Sequence, residues 1–66
     1  MIFPQKITLA IDAMGGDDAP QAIITGTEIA ISLDPSITPI LVGDEGKIRP
    51  FIKPNSPLRD VRIHHT

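Results

Sequence analysis

The sequence predicts an α/β protein whose elements follow the order β-α-β-α-β around a parallel sheet. Three short segments have the hydrophobic pattern of strands, and a segment with helical periodicity lies between the first two. Right-handed connections that progress in one direction put both helices on the same face of the sheet. Since parallel sheets are normally covered on both faces, a chain of 66 residues predicts an incomplete fold with one bare face.

The first strand is predicted over residues 6–12, directly before a pair of glycines. Ile7, Leu9 and Ile11 share one face of this strand, and the small residues Thr8 and Ala10 share the other. The small side chains predict that a helix packs closely on their side.

The first helix is predicted to begin at Pro20, because proline at this position loses no helical hydrogen bond. It is expected to end at Asp34-Pro35. Helical spacing predicts a buried stripe made of Ala22, Ile23, Gly26, Ile29, Ala30 and Leu33. Glycine inside a helix costs about 1 kcal/mol, so Gly26 is expected to permit a close approach to the sheet.

The second half of the chain completes the alternation. A short apolar run over residues 38–42, broken by Gly43-Asp44, is typical of a buried parallel strand. A weak helix over residues 45–51 is expected to end near Pro50, and residues 53–60 form a loop. Residues 61–65 are predicted to form the third strand.

Composition excludes several classes of site and protein. The chain has no cysteine, which rules out disulfides and thiolate metal sites and fits a cytosolic protein. No apolar run approaches the roughly 20 residues that span a bilayer, and the first residues lack a signal-peptide pattern. The basic residues of the second half lack aromatic partners for stacked bases, so they predict a solvated face and no nucleic-acid binding.

Two loops are predicted at the carboxyl ends of the strands, where open α/β sheets bind their ligands. These loops are residues 12–18 and 43–45. Gly15 and Gly16 allow positive φ angles and a close approach of the backbone to a ligand. Their N–H groups, at the positive end of the following helix, indicate a site for an anion.

The acidic residues of the first loop leave a second interpretation open. Asp12, Asp17 and Asp18 would repel a phosphate unless they turn away from it, cap the helix, pair with cations or hold a metal. Alternatively, the glycines only make a tight turn, and Asp17 or Asp18 satisfies free N–H groups at the start of the helix.

The common nucleotide motifs are absent. The loop lacks the third glycine of the dinucleotide fingerprint, and no Gly-Lys-Ser/Thr sequence follows it, so Asp44 is weak evidence for a ribose site. His64 and His65 are adjacent on a predicted strand and therefore point to opposite faces, where they cannot readily hold one metal ion. A structural placement of both histidines is favoured over a catalytic one.

Three segments resemble one enzyme family. The segment Ile11-Asp12-Ala13-Met14-Gly15-Gly16-Asp17-Asp18-Ala19-Pro20 resembles the opening motif of the acyl-acyl carrier protein:phosphate acyltransferases. Residues 40–48 resemble the second strand and loop of that family, and residues 61–65 resemble its third strand. The resemblance implies that residues 1–66 are the amino-terminal fragment of a single three-layer α/β/α, Rossmann-like acyltransferase domain.

The resemblance also implies a reaction and its partners. Members of the family transfer a fatty acyl group from acyl carrier protein to inorganic phosphate, and the acyl phosphate enters phospholipid synthesis. They act in the cytoplasm as homodimers that associate peripherally with the membrane. No metal or other cofactor is expected, and the 66-residue chain is expected to be inactive by itself.

The implied reaction assigns roles to the first loop. Met14, Gly15 and Gly16 are predicted to bind phosphate or acyl phosphate, and Asp12 and Asp17 are predicted to orient a base or a cationic group. No cysteine or serine-elbow motif indicates a covalent acyl-enzyme. Two other functions stay open: a small anion- or nucleotide-binding module that uses the same glycines, and an interaction module that uses the bare sheet face.

Overall fold

The computed structural model describes residues 6–66, and all predicted elements are present in that range. The predicted domain of residues 1–66 therefore includes residues 1–5, which lie outside the described residues. The elements are β1 Ile7–Asp12, α1 Gln21–Leu33, β2 Ile37–Gly43, α2 Glu45–Ile48 and β3 Arg62–His65. A single turn of 3-10 helix over Arg49–Phe51 continues α2.

The three strands form a parallel sheet, as the alternation of elements predicts, and their order is β1-β2-β3. β2 is the central strand. Ile11 of β1 lies beside Leu41 of β2, and Leu41 lies beside Ile63 of β3. These three side chains therefore form one row on one face of the sheet.

The hydrophobic core lies on the face that contains this row. Leu41 is completely buried, and Ile11 and Ile63 are partly buried beside it. The core also contains Ile24 of α1 and Ile48 of α2, together with Leu58 from the loop before β3. Both helices thus cover the same face, which confirms the predicted one-sided arrangement and the incomplete α/β fold.

The other face of the sheet is uncovered by residues 6–66. None of its side chains belongs to the core, and all are exposed or half-buried: Thr8, Ala10, Thr38, Ile40, Val42, Arg62 and His64. The prediction that a helix packs against Thr8 and Ala10 is therefore wrong for this part of the chain. The helices cover the isoleucine and leucine row instead, because burying the larger side chains removes more apolar area from water.

The buried stripe of α1 differs from the predicted one. Ile24 and Thr27 are the buried residues, and Ile31 is partly buried on the same stripe. Gly26 is exposed, and a Cβ added to it would meet no atom within 4 Å, so it does not permit a close approach to the sheet. Of the predicted stripe, Ile23 is partly buried against the core, whereas the other members are exposed: Ala22, Gly26, Ile29, Ala30 and Leu33. The helix has apolar residues on most of its circumference, so the contact with the sheet decides which of them are buried.

Thr27 can occupy this buried position because its hydroxyl is satisfied within the helix. Its Oγ1 donates to the carbonyl oxygen of Ile23 at 2.7 Å.

The longest helix of residues 6–66 is α1, with 13 residues. None of the helices in this range has the length and hydropathy of a membrane span.

The carboxyl end of α1 is closed by Asp34 and Ser36. The Asp34 carboxylate accepts hydrogen bonds from the Ser36 hydroxyl at 2.5 Å and from the Ser36 N–H at 3.1 Å. These bonds hold the pKa of Asp34 below its ordinary value, with the hydroxyl as the larger cause. A lowered carboxyl pKa stabilises the fold above the unfolded-state pKa, and this contribution is lost as the pH falls through the folded-state value.

Replacing Leu41 with alanine is expected to lower the free energy of unfolding by about 2–5 kcal/mol, because the cavity forms under both helices. Leu33→Ala is the matched control. Leu33 is 82% exposed, so the same loss of atoms should change stability by less than about 0.5 kcal/mol. Urea unfolding followed by circular dichroism measures both, and equal losses for the two variants would contradict the core described above.

Candidate functional site

The carboxyl ends of the three strands meet at one edge of the sheet. The loop after β1 is fixed to β2, because the Ala13 N–H donates to the Val42 carbonyl at 2.9 Å. The end of β3 is fixed to the same strand, because the Thr66 N–H donates to the Gly43 carbonyl at 3.1 Å. Residues 12–18 and 43–45 therefore lie side by side, in the position where parallel α/β sheets bind ligands.

Asp12 shapes the first turn of the glycine loop. Its Oδ1 accepts a hydrogen bond from the Met14 N–H at 2.9 Å, and Ala13 between them is completely buried. A Cβ on Gly15 would lie 3.5 Å from Asp12 Oδ2, so the carboxylate lies close to the backbone of its own loop. The Asp12 carboxylate therefore binds the backbone of its own loop.

Gly16 exposes backbone donors to solvent. Its φ angle is +95°, a conformation that side chains other than glycine rarely adopt, and a Cβ there would meet no atom within 4 Å. The N–H groups of Gly16 and Asp17 donate no hydrogen bond to any residue of the described chain. The loop is exposed here and contains two adjacent N–H groups that have no acceptor among residues 6–66.

Met14 connects this loop to the end of β2. A Cβ added to Gly43 would lie 2.5 Å from Met14 Cγ and 3.2 Å from Ile48 Cδ1. Gly43 also has a φ angle of +152°. The missing side chain thus makes room for Met14, whose position depends on a glycine 29 residues further along the chain.

The other acids of the loop are free of local partners. Asp17 and Asp18 are exposed, and neither carboxylate makes a hydrogen bond or an ion pair within residues 6–66. α1 has no side-chain cap, so the predicted capping by Asp17 or Asp18 is wrong. Within the same residues there is no group of three or more potential metal ligands.

The loop after β2 is held by two side chains. The Asp44 carboxylate accepts a hydrogen bond from the Gly46 N–H at 2.9 Å and caps α2. The Nδ1 atom of His65 accepts a hydrogen bond from the Glu45 N–H at 3.0 Å. His64 lies on the uncovered face, in register with Val42, so the two histidines point to opposite faces as predicted.

The hydrogen bond of His65 is a feature that the sequence analysis missed. Its partner, Glu45, is 20 residues away, so no local pattern reveals the pair. The available signal was the position of His65 at the carboxyl end of a strand next to β2. Residues at that edge are the ones that can reach a ligand site.

The fold and this edge define a class: a Rossmann-like α/β protein with a glycine loop at the carboxyl ends of its parallel strands. Residues 7–66 match the model of a family described as fatty acid synthesis protein. The match covers nearly the whole chain, and the chain belongs to this family.

Relatives with known names support the same assignment. The phosphate acyltransferase of Parvibaculum lavamentivorans is 43% identical over 61 residues, which cover 91% of this chain and 17% of the relative. That of Streptococcus sanguinis is 45% identical over 58 residues, covering 88% and 17% of the two chains. That of Bacillus pumilus is 51% identical over 47 residues, covering 71% and 14%. The resemblance to phosphate acyltransferases is confirmed, and the chain spans less than a fifth of the length of these relatives.

Gly43→Ala is expected to lower the free energy of unfolding by about 1–3 kcal/mol, because the added methyl group displaces Met14 and strains the backbone. Gly26→Ala is the matched control, with the same added atom in open space on a helix, and should raise stability by about 0.5–1 kcal/mol. Urea unfolding gives both values, and the Met14 methyl resonance should shift only in Gly43→Ala. A neutral Gly43→Ala with an unmoved Met14 would show that the contact is unimportant.

Proposed function

We propose that this chain forms the phosphate-binding edge of an enzyme that transfers a fatty acyl group from acyl carrier protein to inorganic phosphate. The product is an acyl phosphate for phospholipid synthesis. The proposal is supported by the family match over residues 7–66 and by relatives that are named phosphate acyltransferases. The structural observation that favours it is the pair of N–H groups at Gly16 and Asp17, which donate to no acceptor among residues 6–66.

The reaction needs an anion held beside an acyl thioester. A phosphate oxygen forms a bond to the thioester carbonyl carbon, and the carbon–sulfur bond breaks so that sulfur leaves with the electron pair as a thiolate. A proton brought by hydrogen phosphate balances the thiolate. Between these events the carbonyl oxygen has a negative charge, which hydrogen-bond donors stabilise.

Backbone N–H groups suit this task because they bind anions without adding a charge that must be desolvated. In the proposal the Gly15–Gly16 segment binds phosphate and Met14 forms one wall of the site. Gly16 has a positive φ, which glycine adopts without strain, and the absent side chain lets the ligand approach. Fixing phosphate in this way removes part of the entropic cost of bringing two substrates together.

The carboxylates take different roles in the proposal. Asp12 orients the loop, since its Oδ1 binds the Met14 N–H. Asp17 orients a base or a cationic side chain contributed by another part of the enzyme, because its own carboxylate would repel phosphate. The positive charge of such a side chain would also weaken the repulsion between phosphate and the three carboxylates of the loop.

The remaining partners belong to the whole enzyme. The chain spans 17% of the length of two of the relatives, so most contacts to acyl carrier protein, the homodimer contacts and the peripheral membrane contacts are assigned to the rest of such a protein. Residues 1–66 are proposed to be one part of a single acyltransferase domain, without activity by itself. No cofactor takes part in the proposed reaction.

The test is a chimera in which residues 7–66 replace the matching segment of the Streptococcus sanguinis enzyme, to which the chain is 45% identical. Acyl phosphate formation from acyl carrier protein thioester and inorganic phosphate is measured. Gly16→Val is expected to lower kcat/KM for phosphate at least about tenfold, because a branched side chain strains the backbone and blocks the donors.

Gly26→Ala in the same chimera is the control, since Gly26 is exposed on α1 and a Cβ added to it would meet no atom within 4 Å. Its activity should equal that of the unmodified chimera. A Gly16→Val chimera with undiminished turnover would exclude this loop from the mechanism.

A small anion-binding module is the second candidate, and the N–H groups of Gly16 and Asp17, without an acceptor in the described part of the chain, favour it as well. The two functions differ in what the 66-residue chain does alone. Millimolar binding of inorganic phosphate by the chain, seen as shifts of these two amide resonances and absent in Gly16→Val, would support the module. Phosphate binding only in the chimera would support the acyltransferase.

A further inference from the structure

We propose that His65 is a positioning residue for the glycine loop, acting through the turn after β2. The inference rests on the proposed function for its effect on turnover. It rests on contacts within the chain for its structural part. His65 is placed at the carboxyl edge by β3, and its neighbour His64 is on the uncovered face.

The hydrogen bond of His65 requires an acceptor at the Nδ1 position. A backbone N–H can only donate, so the Nδ1 atom that receives the Glu45 N–H at 3.0 Å has a free lone pair. A side chain without an acceptor at this position cannot form the bond.

Glu45, whose N–H binds His65, lies two residues after Gly43 in the candidate site. Glu45 follows Asp44, which follows Gly43, and the Gly43 carbonyl is also bound by the Thr66 N–H at 3.1 Å. β3 thus holds the turn after β2 at two points: once through the backbone beside His65 and once through its ring. Gly43 is the residue whose missing side chain gives space to Met14, so holding this turn also holds the wall of the glycine loop.

The elements that contact β3 are β2 and α2. α2 and its cap contain four charged residues: Asp44, which caps the helix, Glu45 and Arg49, which form an ion pair at 3.5 Å, and Lys47. These residues are unchanged in all variants below, so a difference between the variants belongs to the substituted histidine.

Three variants separate the possible roles. His65→Asn keeps an acceptor at the position of Nδ1, because the amide oxygen of asparagine lies there. His65→Gln has its amide further out, near the position of Nε2, and leaves the Glu45 N–H without its acceptor. His64→Asn is the matched control, with the same substitution on the opposite face of the same strand.

The structural part is tested on the 66-residue chain by measuring, at one fixed pH, the hydrogen exchange of the Glu45 amide and the Met14 methyl resonance. The unmodified chain, His64→Asn and His65→Asn should keep the Glu45 amide protected and the Met14 methyl in place. In His65→Gln the Glu45 amide should exchange about three- to tenfold faster, the effect expected for one lost hydrogen bond, and the Met14 methyl should shift. Equal exchange rates of the Glu45 amide in His65→Asn and His65→Gln would overturn the proposal.

The functional part is tested on the chimera with inorganic phosphate and a long-chain acyl thioester of acyl carrier protein. His65→Gln should lower kcat/KM for phosphate about three- to tenfold at pH 8, the effect expected for one lost hydrogen bond. His65→Asn and His64→Asn should match the unmodified chimera at the same pH. Equal activity of the His65→Asn and His65→Gln variants, or the same loss in His64→Asn as in His65→Gln, would remove His65 from the mechanism.

The two parts fail in different ways. A chimera without any acyl phosphate formation would contradict the proposed function, whereas the Glu45 amide would still show whether His65 holds the turn. An active chimera with a Glu45 amide that does not respond to His65 would contradict only the inference about His65.

Discussion

Gly43 is the position on which the carboxyl edge of this sheet depends. Its backbone continues β2 to the last paired residue, and its carbonyl receives the Thr66 N–H from beyond β3. Its missing Cβ leaves the space that Met14 of the preceding loop occupies. The ends of β2 and β3 and the side chain of Met14 therefore meet at one residue without a side chain. A larger residue would displace Met14, because the added Cβ would lie 2.5 Å from Met14 Cγ.

Much of this architecture could be predicted from the sequence. The alternation around Ile7, Leu9 and Ile11, the break at Gly15–Gly16 and the helix between Pro20 and Asp34 are local patterns, and the corresponding elements lie where expected. The parallel order and the one-sided cover follow from general rules of chain connection. For the same reason the sequence could place residues 12–18 and 43–45 at one edge of the sheet.

The remaining features depend on contacts between distant parts of the chain. α1 has apolar residues on most sides, so its periodicity did not decide whether Ile24 or Gly26 faces the sheet. Asp17 and Asp18 have the right residue type for caps, but the helix begins after Pro20 and leaves them outside. The pairing of His65 with Glu45 and of Met14 with Gly43 is a property of the folded sheet, and neither residue pair forms a motif in the sequence.

The strand order has a consequence for how this chain behaves in solution. Only β2 is paired on both sides among residues 6–66, so β1 and β3 each present a row of unpaired backbone groups. On β1 the side chains of Ile7 and Leu9 are 47% and 43% exposed beside that row. An exposed apolar edge strand is a template on which another chain can add a strand. A further strand can therefore be added to the sheet beside β1 or beside β3. When no other strand binds there, a second copy of this chain can form hydrogen bonds with the same backbone groups.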